Sequence, residues 1–165
     1  MTLAREMALE SEYVMGTFAR KPVEFVEGHG MTLIDDAGNE YLDFLSGIGV
    51  CSLGHCHPSI VQAVSDQAAK LIHVSNYYYI EHRGEVAQLL SNMLNAYVDE
   101  PSPETWKTFF ANSGAEANEC AIKLARLYAR RRTEAAGKDA ELAPCLIVTL
   151  AKSFHGRTLA TLAAT

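Results

Sequence analysis

The stretch NSGAEANE at residues 112–119 connects a predicted strand to a predicted helix, and it is the starting point for predicting the fold. Before it, residues 105–111 are aromatic and β-prone. After it, residues 115–132 carry a helical pattern, and residues 145–150 form a short, continuous apolar run. Strands that alternate with helices are typical of a parallel sheet covered by helices. The second part of the sequence therefore predicts the opening of an α/β domain.

Upstream of this stretch, the sequence predicts a small α+β element that begins with a β-meander. Turn-forming residues separate three strand-like segments, which lie at residues 23–26, 31–35 and 40–44. The turns fall at residues 28–30 and 36–39, and such spacing is typical of antiparallel hairpins.

Two helices are predicted to follow the meander. Pro58 opens the first one, since its fixed φ suits a first helical position. The apolar residues after it recur at helical spacing, and they are Ile60, Val61, Val64, Ala68, Leu71 and Ile72. The second helix is predicted over residues 84–97.

Composition and charge indicate a soluble globular chain with no electrostatic reason to bind nucleic acid. The 165 residues suffice for one ordinary domain, with 48% hydrophobic and 21% charged residues. The net charge of -6 also gives no reason to expect an anionic membrane as partner. The basic run at residues 130–132 is interpreted as a solvated helix end.

The N-terminus and the cysteines favour a cytoplasmic setting. Residues 1–16 mix acids and bases, which is unlike a signal peptide, and no apolar run reaches the roughly 18 residues of a membrane span. The four cysteines show no spacing of a disulfide scaffold.

The strongest chemical signal is the start of the helix at residue 113. Ser113 and Glu116 have the spacing of a capping box, in which each side chain accepts a hydrogen bond from a backbone N–H of the first turn. Gly114 leaves the backbone open to a ligand, and the N–H groups of Gly114 and Ala115 would suit a phosphate. An ordinary capped helix is the alternative.

A second signal, SFHGRT at residues 153–158, directly follows the predicted strand at 145–150. Ligands of parallel sheets collect beyond the carboxyl ends of the strands, so both signals are expected at one edge. Phe154 could lie flat against a planar heterocycle, and Arg157 could hold a carboxylate. The alternatives are a core position for Phe154 and a surface ion pair for Arg157.

A third group, at residues 51–57, contains two cysteines and two histidines. A zinc site there would need a very tight loop, and no second cluster completes it. The sequence also has no nucleophile elbow of the G-x-S-x-G type. Neither alternative is favoured.

Taken in order, these segments resemble the class III, fold-type I aminotransferases, which depend on pyridoxal 5'-phosphate (PLP). The resemblance runs from about Phe18 to the end, and its nearest branch acts on acetylornithine and succinylornithine. The matching text lies at residues 40–44, 47–50, 53–58, 75–76, 112–119, 121–126 and 154–158. The implied fold is α/β, with residues 1–75 as a small-domain segment and residues 76–165 as the beginning of the large PLP-binding domain.

The resemblance also implies roles for individual residues. Ser113, Gly114 and Ala115 would hold the cofactor phosphate, Phe154 would stack on the pyridine ring, and Arg157 would bind the α-carboxylate of the amino-acid substrate. Many members of the family carry Thr at the position of Ala115.

The implied activity is transfer of the 5-amino group of N-acetylornithine to 2-oxoglutarate, in arginine biosynthesis. Ornithine or 4-aminobutyrate is the alternative donor, and Phe18 stands where relatives often carry a substrate-binding Tyr. The implied partners are amino-acid and 2-oxo-acid substrates and a second copy in a homodimer, with residues 75–77 near the interface.

The lysine that forms a Schiff base with the cofactor is expected beyond residue 165, so no catalytic residue is assigned within this sequence. None of the lysines present matches it, and Lys152 is interpreted as a surface residue. The sequence is therefore expected to be a truncated N-terminal portion that cannot transaminate alone. A non-catalytic assembly module and a phosphate-binding module are the remaining alternatives.

Overall fold

The structure is a computed structural model that describes residues 2–98 and 105–165. The chain divides into two compact units, Met1–Tyr78 and Tyr79–Thr165. The first unit combines helices with an antiparallel sheet, and the second contains helices and extended segments. The assignment of residues 1–75 and 76–165 to a small and a large domain stays a prediction.

The first unit begins with helix α1 (Leu3–Tyr13) and continues into a three-stranded meander. The strands are β1 (Phe25–His29), β2 (Thr32–Asp35) and β3 (Glu40–Leu42). Each pairs antiparallel with the next, with His29 opposite Thr32 and Thr32 opposite Leu42. The predicted meander is confirmed, although β1 starts two residues later and runs through the predicted turn to His29.

Asp35 organises the turn between β2 and β3. Its Oδ1 accepts hydrogen bonds from the N–H groups of Ala37 (3.0 Å) and Asn39 (2.8 Å). Its Oδ2 accepts from the Asn39 side chain and from the Tyr41 hydroxyl, both at 2.9 Å. These bonds lower the pKa of Asp35, with the Asn39 side chain as the largest cause. Buried carboxylates are stable when their oxygens are satisfied in this way.

After β3, the one-turn helix α2 (Ser46–Gly49) winds in the left-handed sense. The φ angles are 46° at Ser46, 64° at Gly47, 62° at Ile48 and 78° at Gly49. A β-branched residue such as Ile48 rarely adopts this region, because its side chain crowds the backbone. The turn therefore needs support from outside itself.

Asp43 and His55 supply that support. Oδ1 of Asp43 accepts from the N–H groups of Leu45 and Ser46, each at 2.8 Å, and Oδ2 lies 2.7 Å from Nε2 of His55. The side chain of Asp43 is only 8% exposed. The main chain of His55 also exchanges two hydrogen bonds with Gly30, at 2.9 and 2.7 Å. The loop after α2 is thus fastened to the meander.

The first unit ends with helix α3 (Pro58–Lys70), which has Pro58 in its first turn as predicted. In the second unit, α4 (Arg83–Ala96) and α5 (Gly114–Ala135) confirm the helices predicted over residues 84–97 and 115–132. A short 3-10 helix (Ala140–Leu142) and the five-residue helix α6 (Leu159–Ala163) follow.

The two strands predicted for the second unit, at residues 105–111 and 145–150, are wrong for this structure. A strand requires a paired backbone neighbour, and the described part of this unit contains no strand to pair with either segment. The first segment is bound to α4 instead. The N–H of Trp106 donates to Ser91 Oγ (3.2 Å), and its indole Nε1 donates to Asn95 Oδ1 (2.7 Å).

Polar groups, and not an apolar core, fix the geometry of the described residues. No hydrophobic side chain is buried within residues 2–98 and 105–165, whereas Asp35, Ser91 and Thr161 are. Hydrogen bonds of the kind made by Asp35 therefore carry the local structure. The same holds for the candidate site.

Candidate functional site

The first turn of α5 has the cap that the sequence predicts, with one difference. Ser113 is extended (φ −158°), and its Oγ accepts from the N–H of Glu116 at 3.2 Å. The carboxylate of Glu116 reaches back, but Oε2 accepts from Asn112 N–H at 2.6 Å and not from Ser113. The reciprocal bond of the capping box is thus displaced by one residue. A negatively charged carboxylate at the N-terminus of a helix also interacts favourably with the helix dipole.

Two backbone donors remain open at this end of α5. No acceptor for the N–H of Gly114 or Ala115 is present among residues 2–98 and 105–165, as expected for a first helical turn. A Cβ placed on Gly114 would meet nothing within 4 Å. Space and donors are therefore both available for an anionic group.

Gly156 brings the second motif against this turn. Its Cα packs so closely between α5 and α6 that a Cβ would lie 2.6 Å from the Ala115 Cβ of α5 and 2.7 Å from the Thr161 Oγ1 of α6. Its φ of +136° is also a conformation that favours glycine. The two motifs are hence in direct contact, as the sequence predicted, but without the parallel strands that were expected to align them.

Side chains of α5 bind the second motif on both sides of Gly156. Asn118 Nδ2 donates to the carbonyl oxygen of His155 at 2.8 Å. Glu119 Oε1 accepts from the Thr158 hydroxyl at 2.6 Å and from the Ala160 N–H at 3.3 Å. These bonds join residues 37 to 41 positions apart.

A threonine network completes the segment. Thr158 N–H donates to Thr161 Oγ1 at 3.0 Å, and the two hydroxyl oxygens lie 2.7 Å apart. Thr161 is fully buried. The hydroxyl of Thr165 donates to the carbonyl oxygen of Thr161 (2.8 Å) and accepts from the His155 N–H (3.1 Å). The backbone of residues 155–161 is thus held at several points.

Phe154 and Arg157 extend from this anchored backbone towards solvent. The side chain of Phe154 is 71% exposed, and Arg157 is exposed as well. The alternative of a core position for Phe154 does not fit this exposure. Lys152 is also exposed and has a φ of 64°.

Sequence reasoning missed Asn118, Glu119 and Thr161. Asn118 and Glu119 lie inside the NSGAEANE stretch, but their partners lie too far along the chain for any local pattern to show them. Thr161 lies in TLATLAAT, where its spacing from Thr158 was the available signal for a helix start.

The third group, at residues 51–57, has a structural arrangement. His55 is bound to Asp43, and Cys51 and Cys56 are free thiols. Three hydrogen bonds lower the pKa of Asp43, and the largest effect comes from His55, followed by Ser46 and Leu45.

None of the helices described is long and apolar enough to span a bilayer.

Comparison with known proteins places these motifs in one family. Residues 17–165 match the aminotransferase class-III family. The chain belongs to this family. Acetylornithine aminotransferase of Nitrosomonas europaea is 49% identical over 153 residues, which cover 93% of this chain and 35% of that protein. The chain therefore spans about a third of the length of this curated relative.

Solved structures of class III aminotransferases share the fold. An ornithine aminotransferase from Toxoplasma gondii ME49 superposes with a TM-score of 0.80 at 28% identity, over 98% of this chain and 35% of that one. A second Toxoplasma gondii structure gives a TM-score of 0.70 at 32% identity, over 81% and 29% of the two chains. That protein has partial occupancy of PLP at its active site. The fold class is thus that of the fold-type I PLP-dependent aminotransferases.

Proposed function

We propose that this chain is the N-terminal part of a PLP-dependent aminotransferase. The complete enzyme would move the 5-amino group of N-acetylornithine to 2-oxoglutarate, a step of arginine biosynthesis. Family membership and a 49% identical acetylornithine aminotransferase support the proposal. The observation that carries it is the close contact of Gly156 with Ala115, because Gly156 belongs to the segment that contains Phe154 and Arg157 and Ala115 lies in the first turn of α5.

The residues present fit PLP. The open N–H groups of Gly114 and Ala115 lie at the positive end of α5, and such ends bind phosphate. Ser113 adds a hydroxyl beside them. When bound, PLP supplies the electron sink that amino-group transfer requires. The protein residues then have to bind the substrate, orient it and exclude water.

Phe154 and Arg157 would perform the orienting. Phe154 is exposed, so its ring is available to lie against the flat face of a pyridine ring. Arg157 has a planar guanidinium that can donate two parallel hydrogen bonds to the α-carboxylate of the amino donor. A donor held in this way presents its amino group in a fixed direction.

Ornithine is the second candidate donor. The superposition on an ornithine aminotransferase, with a TM-score of 0.80, favours it. The sequence relative favours acetylornithine, and we adopt that donor because its identity of 49% exceeds the 28% of the structural match.

A homodimer in a reduced, cytoplasmic setting completes the proposal. Tyr77, Tyr78 and Tyr79 are largely exposed, and exposed aromatic patches are typical of interfaces. All four cysteines are free thiols, which is usual for cytoplasmic proteins.

A chimera tests the proposed function. Residues 1–165 would replace the matching third of the Nitrosomonas europaea acetylornithine aminotransferase. We expect transamination of N-acetylornithine with 2-oxoglutarate, and a higher KM for the amino donor in Arg157→Lys. Arg131→Lys, an exposed position on α5, is the matched control and should leave KM unchanged. A folded chimera that does not transaminate, or an Arg157→Lys variant with normal KM, would contradict the proposal.

A further inference from the structure

Phe154 and Arg157 belong to a segment without regular structure of its own. Residues 152–158 lie outside the helices and strands, and both side chains are exposed. An irregular segment that becomes ordered only when it binds a ligand loses conformational entropy, which weakens binding. A fixed site therefore needs anchors in the backbone next to these two residues.

Asn118 is the first anchor. Its side-chain amide donates to the carbonyl oxygen of His155, 2.8 Å away, and is partly buried there. His155 directly follows Phe154 and stands two residues before Arg157. The bond thus fixes the peptide between the two side chains.

Glu119 is the second anchor. Its Oε1 accepts from the hydroxyl of Thr158, which directly follows Arg157, at 2.6 Å. The same oxygen accepts from the N–H of Ala160 at 3.3 Å. Hydrogen bonds to a carboxylate are about twice as strong as neutral ones. Arg157 therefore lies between two residues that are bound to α5, which are His155 and Thr158.

Both anchors project from the helix whose first turn carries the open N–H groups. Glu119 lies five positions after Gly114, which is about 7.5 Å along a helix axis. Because an α-helix is stiff over this length, α5 sets the distance between that turn and the segment of Phe154 and Arg157. The contact of Gly156 with Ala115 also holds this segment against the first turn of α5.

We propose that Asn118 and Glu119 are positioning residues, which hold Phe154 and Arg157 in register with the first turn of α5. The inference rests on the proposed function, in which that turn binds the cofactor phosphate and Arg157 binds the donor carboxylate. In this proposal, neither anchor contacts the substrate. They act through the backbone of residues 155–160.

The test uses the chimera with Asn118→Ala or Glu119→Ala. Loss of one anchoring bond should raise the KM of the amino donor about three- to tenfold, with a smaller change in kcat. The visible circular dichroism of bound PLP should weaken, because Phe154 no longer keeps one orientation. Glu119→Gln retains the acceptor oxygen and should restore KM to within about twofold. Arg131→Ala is the control.

A merely structural role would give a different pattern. It would lower the thermal midpoint by several degrees while the KM and the dichroism of the folded variants stayed at the control values, and that result would overturn the inference. Should the alanine variants fail to fold, Thr158→Val removes the hydroxyl donor to Glu119 at nearly constant volume. A folded Thr158→Val with unchanged KM and dichroism would also overturn it. An inactive unsubstituted chimera would instead overturn the proposed function, and this inference with it.

Discussion

Gly156 shows at the scale of a single residue how the candidate site is assembled. Its φ of +136° and its contact with Ala115 leave no room for a side chain. The sequence marked this glycine only as part of a motif. The structure gives the reason, since the backbone of the second motif rests here on the first turn of α5.

Gly156→Ala should destabilise the chimera and weaken its site. The new Cβ would lie 2.6 Å from the Ala115 Cβ, in a strained backbone region, so we expect a loss of about 1–3 kcal/mol. Urea unfolding would measure the loss. Gly84→Ala is the control, because a Cβ there meets nothing within 4 Å and Gly84 lies in α4. Equal stability of the two variants would show that a side chain at residue 156 is tolerated.

Local residue patterns predicted some of the site and missed the rest for one physical reason. Ser113 caps α5 as predicted, because a capping bond spans only three residues. Asn118 and Glu119 were not recognised, because their bonds cross 37 to 41 residues. Such contacts depend on how the chain returns to α5, and no local pattern records that path.

At the scale of elements, helices were predicted better than strands. Helices α3, α4 and α5 begin within a residue of their predicted starts, since each satisfies its own backbone bonds. The segments at residues 105–111 and 145–150 have strand-like composition but no paired neighbour in the part of the chain described. A strand depends on its partner, and composition cannot supply one.

The loop that holds the left-handed turn α2 gives a pH-dependent prediction. Asp43 accepts three hydrogen bonds as a carboxylate, and they lower its pKa below the usual range of an aspartate. A lowered pKa stabilises the fold at neutral pH, and this contribution is lost as the pH falls through the folded-state pKa.

Asp43→Asn should therefore lower the free energy of unfolding at pH 7 and have a diminishing effect in acid. Urea unfolding of the chimera and of its Asp43→Asn variant, from pH 7 into acid, would measure the difference in the free energy of unfolding. Asp66→Asn, at an exposed position of α3, is the control. A difference for Asp43→Asn that stays constant from pH 7 into acid would show that the carboxylate does not stabilise the loop.

At the scale of the whole molecule, the absence of buried apolar side chains is the dominant feature of the described residues. Phe44, Tyr77, Val148 and Leu159 are each at least 90% exposed. Exposed apolar surface of this extent requires a covering partner or leads to self-association.

The isolated 165-residue chain should therefore bind the dye ANS strongly and unfold without a sharp transition. The chimera, in which the host protein supplies further surface, should bind little dye. Fluorescence titration and urea unfolding would compare the two proteins. A cooperative transition of the isolated chain, with no dye binding, would mean that it forms a core of its own.

The dissociation constant of PLP for the Ser113→Asp variant of the apo-chimera tests most directly whether the first turn of α5 binds the cofactor phosphate. Asp caps a helix as well as Ser does, but it places a negative charge beside the proposed phosphate position. We expect an affinity at least about tenfold weaker, with unchanged unfolding free energy. An unchanged affinity in the folded variant would contradict the claim that the first turn of α5 holds the cofactor phosphate.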